Sequence, residues 1–254
     1  MKNTFKVEIS AIYYIVGLFC FLTGYFKDFI WISLLIMIHE CGHVTGAIIC
    51  NWKIERVIIL PFGGMTLLKE SLNRPIYQEW LIVLLGPIYQ MIFFLILYFL
   101  KYMNPIFMLY HFLLLGFNLL PMIPLDGAKM LQLCLESILS YRCAKYVGLW
   151  VSIFLLLFLV GYTIHSCNIL LGIILFFVAK ENIKFYQHIP YQMEKFLLER
   201  YLYTYSFRKC YLIKSGNLYA MKRGYRHLFW KQSTWKTEQE ILDTYFIKNK
   251  TRII

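Results

Sequence analysis

The feature that most constrains this chain is a series of long apolar segments with few charged residues. A helix needs about 20 apolar residues to cross the hydrocarbon core of a bilayer. Six stretches approach or exceed this length, and they comprise residues 9–26, 29–50, 78–100, 105–125, 146–164 and 168–185. The hydrophobic share of 59% also exceeds that of soluble domains, in which about 45–50% of residues are apolar. We therefore predict an all-α polytopic membrane protein with about six transmembrane helices.

The distribution of positive charge indicates how these helices are oriented. The chain has a formal net charge of +12, and 24 of its 26 Lys and Arg residues fall on the side that holds both termini when six segments cross the membrane. Lys27 and Lys101 are the two on the opposite side. Because the cytoplasmic loops of membrane proteins are enriched in Lys and Arg, we expect both termini to be cytoplasmic. The abundance of Ile, Lys, Tyr, Phe and Asn suits an AT-rich bacterial genome.

The last part of the chain differs in composition from the apolar segments. Residues 187–254 contain 13 basic and five acidic side chains, together with alternating apolar stretches and turn-forming glycines. We predict a transmembrane domain over residues 1–186 and a small cytoplasmic α+β appendage over residues 187–254. The surplus of basic residues favours contact with anionic lipid headgroups, and no recognisable motif indicates a nucleic-acid partner.

The second apolar segment contains a cluster of polar residues. It has the sequence HECGH from His39 to His43, which is an H-E-x-x-H pattern in otherwise apolar surroundings. Ionisable groups inside a membrane segment are costly and generally mark a functional site. Residues four apart share one face of a helix, so the two imidazoles can bind one zinc ion while Glu40 acts as a general base. The alternative is a polar cluster that only binds neighbouring helices.

A catalytic zinc site usually has three protein ligands and one open position, so this motif needs a further ligand. Asp126 is the acidic residue whose position fits best, because it follows two prolines, Pro121 and Pro124, that interrupt the fourth segment. The second and fourth segments both run towards the cytoplasm, which gives His43 and Asp126 similar depths. The alternative is that Asp126 only forms a turn or caps a helix. We expect His111, near the outer face, to be a satisfied polar residue and not a ligand.

Taken together, the motifs resemble a known family. The His39–His43 motif in one segment, followed by the sequence NLLPMIPLDG from Asn118 to Gly127, resembles the site-2 protease family of intramembrane zinc metalloproteases, peptidase family M50. The sequence PFGG at residues 61–64 is similar to the membrane-associated loop or hairpin of that family, and Gly86-Pro87 is similar to the motif that opens its third core helix. The resemblance covers residues 30–135.

The resemblance implies roles for individual residues. A single Zn²⁺ is expected to be bound by His39, His43 and Asp126, with Glu40 as the catalytic base, and the substrate is expected to contact Asn118, Gly63 and Gly64. Two residues depart from the usual family pattern, since Gln90 stands where many members have Asn and Ala128 replaces a Gly. Because neither is expected to touch a proposed ligand, we expect both to affect packing more than chemistry.

The resemblance also implies an activity. It is hydrolysis of a peptide bond in or next to a membrane-associated segment of a substrate protein. The six segments and short appendage are most similar to the stage IV sporulation protein FB type, which implies activation of a pro-sigma factor and inhibitory membrane proteins as partners. The appendage is short for the nucleotide-sensing region of that type. The alternatives are a zinc-binding membrane transporter and a non-proteolytic scaffold.

Overall fold

The fold is mainly helical and contains two small three-stranded sheets. The computed structural model describes residues 6–60, 63–69, 72–102, 104–166, 169–231 and 233–250. In these residues, helices α1 to α8 are Ala11–Leu22, Phe26–Ile49, Ile76–Phe99, Pro105–Leu119, Asp126–Ile138, Tyr141–Ser166, Ile169–Leu202 and Glu238–Lys250. Strands β1 to β6 are Lys6–Ile9, Ile54–Leu60, Gly63–Leu68, Lys209–Ile213, Tyr225–Lys231 and Thr234–Thr237. The prediction of a mainly helical protein is therefore confirmed.

Three helices, α2, α3 and α6, are long and apolar enough to cross a membrane. Helices α1 and α4 are also apolar but have only 12 and 15 residues. The chain is therefore a multi-pass membrane protein by the length and composition of its helices. Six spanning helices are not found by these criteria in the part of the chain that the structure describes.

The helix boundaries explain this difference from the six predicted segments. Helix α1 is shorter than residues 9–26 because the chain turns at Gly24, which has a φ of 83° that favours glycine. Helix α4 ends at Leu119 and not near residue 125, because Pro121 lacks the N–H group that a continuing helix needs. Helix α7 instead extends past residue 185 to Leu202 and continues into the appendage without a break.

The described residues form two compact units. The first contains helices α1 to α4 and a sheet in which β2 pairs with β1 in parallel and with β3 in antiparallel orientation. The predicted hairpin after α2 is thus the β2–β3 pair, and β3 lies at one edge of the sheet order β1-β2-β3. Participation of β1 was not expected from the sequence. Residues 61 and 62 of the predicted loop lie outside the described residues.

Helices α2 and α3 pack closely because α2 presents glycines to α3. A Cβ atom at Gly42 would overlap the backbone carbonyl of Leu85, and one at Gly46 would crowd the backbone of Ile82. Small residues at such positions let two helix backbones approach in a membrane. The close packing brings the middle of α3 next to the H-E-x-x-H turn of α2.

The second unit contains helices α5 to α8 and the sheet β4-β5-β6. Its apolar core joins the start of α6 to the appendage, since Tyr141 stacks on Phe196 of α7 with ring centroids 4.4 Å apart. Buried ion pairs add to this core. Glu136 of α5 binds both Lys145 and Arg223 at 2.9 Å, and Arg200 of α7 binds Glu238 at 2.9 Å. The appendage therefore shares its core with membrane-domain helices.

Candidate active site

Helix α2 places three of the candidate site residues in one buried turn. The exposed fractions of His39, Glu40 and His43 are 3%, 6% and 4%. The two imidazoles lie on the same helix face, and their ring centroids are 4.8 Å apart. Burial of three polar side chains in one turn requires specific partners, because unsatisfied polar groups in an apolar interior are costly.

The partners of the two imidazoles determine their tautomers. His43 Nδ1 lies 2.8 Å from the backbone carbonyl of Ile82, and His39 Nδ1 lies 3.2 Å from Gln90 Oε1. Both partners are oxygen atoms that only accept hydrogen bonds, so both Nδ1 atoms carry a hydrogen. In the neutral imidazoles both Nε2 atoms therefore have lone pairs, and these two atoms are 3.1 Å apart. Two lone pairs at this distance repel each other, and a metal cation bound to both removes the repulsion.

Helix α3 leaves room for this arrangement through a glycine. A Cβ atom at Gly86 would overlap the ring of His43 and crowd His39 Nε2. The Gly86-Pro87 pair predicted to open a core helix lies instead in the middle of α3, where Pro87 is inside the helix. The glycine is needed because the two imidazoles occupy the space that a side chain would fill.

The carboxylate of Glu40 is held by the β2–β3 hairpin. Thr66 Oγ1 of β3 donates a hydrogen bond to Glu40 Oε2 at 2.8 Å. A Cβ atom at Gly64 would overlap the same carboxylate, so β3 approaches Glu40 closely only because this residue is glycine. Of the predicted site residues, the structure thus brings together His39, His43, Glu40 and Gly64. Gly63 is the first residue of β3, next to Gly64.

The remaining predicted residues flank the break that follows α4. Asn118 lies in the last turn of α4 with 9% of its surface exposed, and Asp126 is the first residue of α5 with 6% exposed. Asp126 forms an ion pair with Lys129, with 3.0 Å between Asp126 Oδ1 and Lys129 Nζ. The position of a carboxylate in the first turn of α5 is favourable, because the N-terminus of a helix carries partial positive charge.

Two contacts of the site were not anticipated from the sequence. Gln90 was expected not to touch a proposed ligand and to affect packing more than chemistry, and the first part is wrong because its amide contacts the His39 ring directly. A usable signal existed, since Gln90 is a lone amide in the apolar middle of α3, one helical turn after Gly86. Thr66 had no comparable signal, because threonine is common in strands.

His111 also differs from its prediction. It was expected to be a satisfied polar residue, but its ring is fully buried and neither ring nitrogen has a hydrogen-bond partner in the described part of the chain. The ring stacks on Phe94 with centroids 4.4 Å apart and contacts Phe107 and Phe112. Its polarity is therefore not what holds it there, and the aromatic contacts account for its burial.

Comparison with known proteins supports the same class of site. Residues 28–105 match the family model for peptidase family M50. The chain is 30% identical over 205 residues to stage IV sporulation protein FB of Bacillus subtilis, covering 77% of this chain and 71% of that protein. It is 29% identical over 160 residues to a zinc metalloprotease of Methanocaldococcus jannaschii, covering 59% of this chain and 46% of that protein.

A solved structure shows the same fold. The site-2 protease from Methanocaldococcus jannaschii superposes with a TM-score of 0.57 and 22% sequence identity, over 70% of this chain and 89% of that one. Membrane-spanning helices that bury an H-E-x-x-H turn define an intramembrane zinc metalloprotease. The extent of the match to the Bacillus subtilis protein shows that the chain belongs to peptidase family M50, the site-2 proteases. The transporter and scaffold alternatives gain no support from these relatives.

Proposed function

We propose that this site-2 protease uses His39, His43 and Asp126 as ligands of one zinc ion and Glu40 as its general base. The substrate is a protein with a membrane-associated segment, which is cleaved within or next to that segment. The observation that carries the proposal is the pair of histidine Nε2 atoms, 3.1 Å apart in a buried helix turn that also contains Glu40.

The choice of Asp126 as third ligand is supported by its burial and its chemistry. An ionised carboxylate that is 6% exposed needs compensating positive charge. Its ion-pair partner Lys129 is half exposed, so much of the charge of that lysine is screened by solvent. Two imidazole nitrogens and one carboxylate oxygen form a ligand set that suits catalytic zinc and leaves one position open. The residues present therefore fit the metal.

The chemistry follows from the positions of Glu40 and Thr66. Bound zinc supplies a Lewis acid that polarises the scissile carbonyl and promotes deprotonation of water at neutral pH. Glu40 takes the proton from the attacking water and gives it to the leaving amine. The hydrogen bond from Thr66 holds Oε2, so that Oε1 is left for proton transfer.

The edge strand β3 is our proposed binding site for the substrate backbone. A substrate segment that adds to β3 as an extra strand forms main-chain hydrogen bonds and needs no particular side chains. Gly63 and Gly64 begin this strand, and Thr66 connects it to Glu40. An added strand therefore runs past the general base. We assign the buried amide of Asn118 to the substrate backbone or to the oxyanion that develops on the scissile carbonyl.

We further propose the topology given by the charge distribution, with six membrane passages and both termini in the cytoplasm. Helices α1 and α4 supply two shorter passages, and the apolar first half of α7 supplies the sixth. This topology places the end of α2 that contains His43 towards the cytoplasm. We place the protein in the cell membrane of a bacterium.

The appendage is proposed to contact anionic lipid headgroups. Residues 203–237 contain eight Lys and Arg residues and no Asp or Glu. Trp230 and Trp235 face each other across β5 and β6, and 41% and 50% of their surfaces are exposed. Tryptophan and basic side chains both favour the headgroup region of a membrane.

The similarity to stage IV sporulation protein FB of Bacillus subtilis suggests the biological role. We propose that the chain takes part in regulated proteolysis such as activation of a pro-sigma factor during sporulation, under control of inhibitory membrane proteins.

Purified protein in lipid nanodiscs, given a membrane-tethered pro-sigma substrate, should cleave it and lose activity with a chelator. The Glu40→Gln variant should bind zinc normally and not cleave. Normal cleavage by that variant would remove Glu40 from the mechanism.

A further inference from the structure

Gln90 connects three helices at the site. It lies in α3 and is fully buried. Its Oε1 atom accepts from His39 Nδ1 of α2 at 3.2 Å, and its Nε2 atom donates to the backbone carbonyl of His111 in α4 at 3.1 Å. We propose that Gln90 is a positioning residue that fixes the tautomer and ring orientation of His39 for metal binding. The proposal rests on the assignment of His39 as a zinc ligand.

The contact with α4 determines which end of the amide faces His39. A backbone carbonyl can only accept a hydrogen bond, so the atom of Gln90 that faces His111 is the NH₂ group. The carbonyl oxygen of the same amide must then face His39. This oxygen holds the hydrogen of His39 on Nδ1 and directs the Nε2 lone pair towards His43 Nε2.

The two histidines are oriented by different means. His43 is held by the backbone carbonyl of Ile82, which persists whatever side chain is present there. His39 depends on the side chain of Gln90. Partners of this kind affect metal affinity or activity by about 10–100-fold when they are removed. Substitution of Gln90 therefore changes the orientation of one imidazole and leaves the other in place.

The first test measures zinc affinity by competition with a chelator, on the full-length protein in nanodiscs. Gln90→Met keeps the length of the side chain but removes the acceptor, and we expect it to weaken zinc binding by about 10–100-fold. Gln90→Glu restores an oxygen acceptor towards His39 but loses the donor to the His111 carbonyl, so it should recover part of the affinity that Gln90→Met loses. Tyr13→Phe is the matched control, because it removes a different side-chain hydrogen bond to α2, the one to Ser33, and should leave zinc affinity unchanged.

The second readout is the absorption spectrum of the cobalt-substituted protein, which reports the geometry of the ligands. It should change in Gln90→Met and remain as in the wild type in Tyr13→Phe. If Gln90→Met does not fold, Gln90→Leu replaces it, because leucine likewise offers no oxygen acceptor to His39. The proposal would be overturned by wild-type zinc affinity in the variant that lacks the acceptor. It would also be overturned if Gln90→Glu bound zinc as weakly as Gln90→Met. Neither result depends on proteolysis, so failure of the proposed protease activity is recognised separately, by wild-type protein that binds zinc but does not cleave.

Discussion

Thr66 of the β2–β3 hairpin donates a hydrogen bond to Glu40 Oε2 of helix α2 at 2.8 Å. The proposed general base is therefore held by a residue on the same strand that we propose as the binding edge for substrate. A displacement of β3 therefore also displaces the hydrogen-bond donor of this carboxylate.

We predict that Thr66→Val lowers kcat by about 10-fold or more, with zinc affinity retained. Hydrogen bonds to charged groups contribute about 1.5–3 kcal/mol, and valine keeps the shape of the side chain but removes the donor. Thr66→Ser should retain most activity because it keeps the hydroxyl. Thr45→Val is a control, since it removes the hydroxyl bond from Thr45 to the Cys41 carbonyl on the exposed side of α2. Equal kcat values for Thr66→Val and the wild type would show that Thr66 does not position the base.

Gly64→Ala is predicted to abolish cleavage while zinc binding persists. The added methyl group would overlap the Glu40 carboxylate, so either β3 or the carboxylate must move. The comparison is Gly116→Ala in α4, where a Cβ atom meets nothing within 4 Å. Alanine in a helix is favoured over glycine by about 1 kcal/mol, so this control should be active and slightly more stable. Wild-type activity in Gly64→Ala would mean that the close approach has no functional role.

The sequence was sufficient to predict the turn from His39 to His43, because helical spacing alone places both imidazoles on one face. The roles of Gln90 and Thr66 were not predictable in this way, since each depends on a contact across more than 25 residues of chain. Such contacts follow from tertiary packing, which local patterns do not encode.

The limits of the helices were predicted less well than their existence. Apolar composition continues through residues 120–125, but Pro121 and Pro124 end α4 at Leu119. The chain there is held at Ile123, whose N–H donates to Ser152 Oγ and whose carbonyl accepts from Asn182 Nδ2. Hydropathy reflects the tendency of a residue to leave water, and it does not distinguish a helix from a buried turn. Hydropathy also does not show that a helix such as α7 continues beyond the apolar segment 168–185 into polar sequence.

We predict that Arg200→Met destabilises the appendage by about 3–5 kcal/mol, the usual effect of removing one partner of a buried ion pair. Arg200 binds Glu238 at 2.9 Å and Asn73 Oδ1 at 2.7 Å, and its side chain is 1% exposed. Lys184→Met breaks a partly exposed pair with Glu181 and should cost less than about 1 kcal/mol. The free energy of unfolding of both variants is measured by chemical denaturation, with hydrogen exchange of the β5 amides as the probe of the appendage. Similar losses in the two variants would contradict a structural role for the buried pair.

The appendage is also predicted to lose stability in acid. Burial lowers the pKa of His227 below its ordinary 6.5, and its Nε2 accepts from the Lys222 backbone N–H, which requires an unprotonated ring nitrogen. The unfolded chain takes up a proton near pH 6.5 that the folded imidazole does not, so stability is complete above about pH 6.5 and falls as the pH decreases. Although burial raises the pKa of Glu238, its hydrogen bond with His227 and the charge of Arg200 lower it overall, which extends the loss to lower pH.

Hydrogen exchange of β5 at pH 7.5 and pH 5.5 tests this sensitivity. In the wild type, the protection of the β5 amides from exchange should decrease at the lower pH. The His227→Gln variant removes the titrating ring and should show a smaller difference between the two pH values, whatever its absolute stability. An unchanged difference would assign the acid sensitivity to other groups.

The last prediction concerns Asp126, the proposed third zinc ligand. Asp126→Asn keeps the size of the side chain but removes its charge, and should reduce zinc content because the site then has two strong ligands in place of three. Glu181→Gln is the matched control, since Glu181 is another carboxylate paired with a lysine three residues later and should not affect zinc. Zinc content measured by elemental analysis after dialysis against a weak chelator distinguishes the two variants. Wild-type zinc content in Asp126→Asn would exclude Asp126 as a ligand, and the pair of histidines would then require a different third partner.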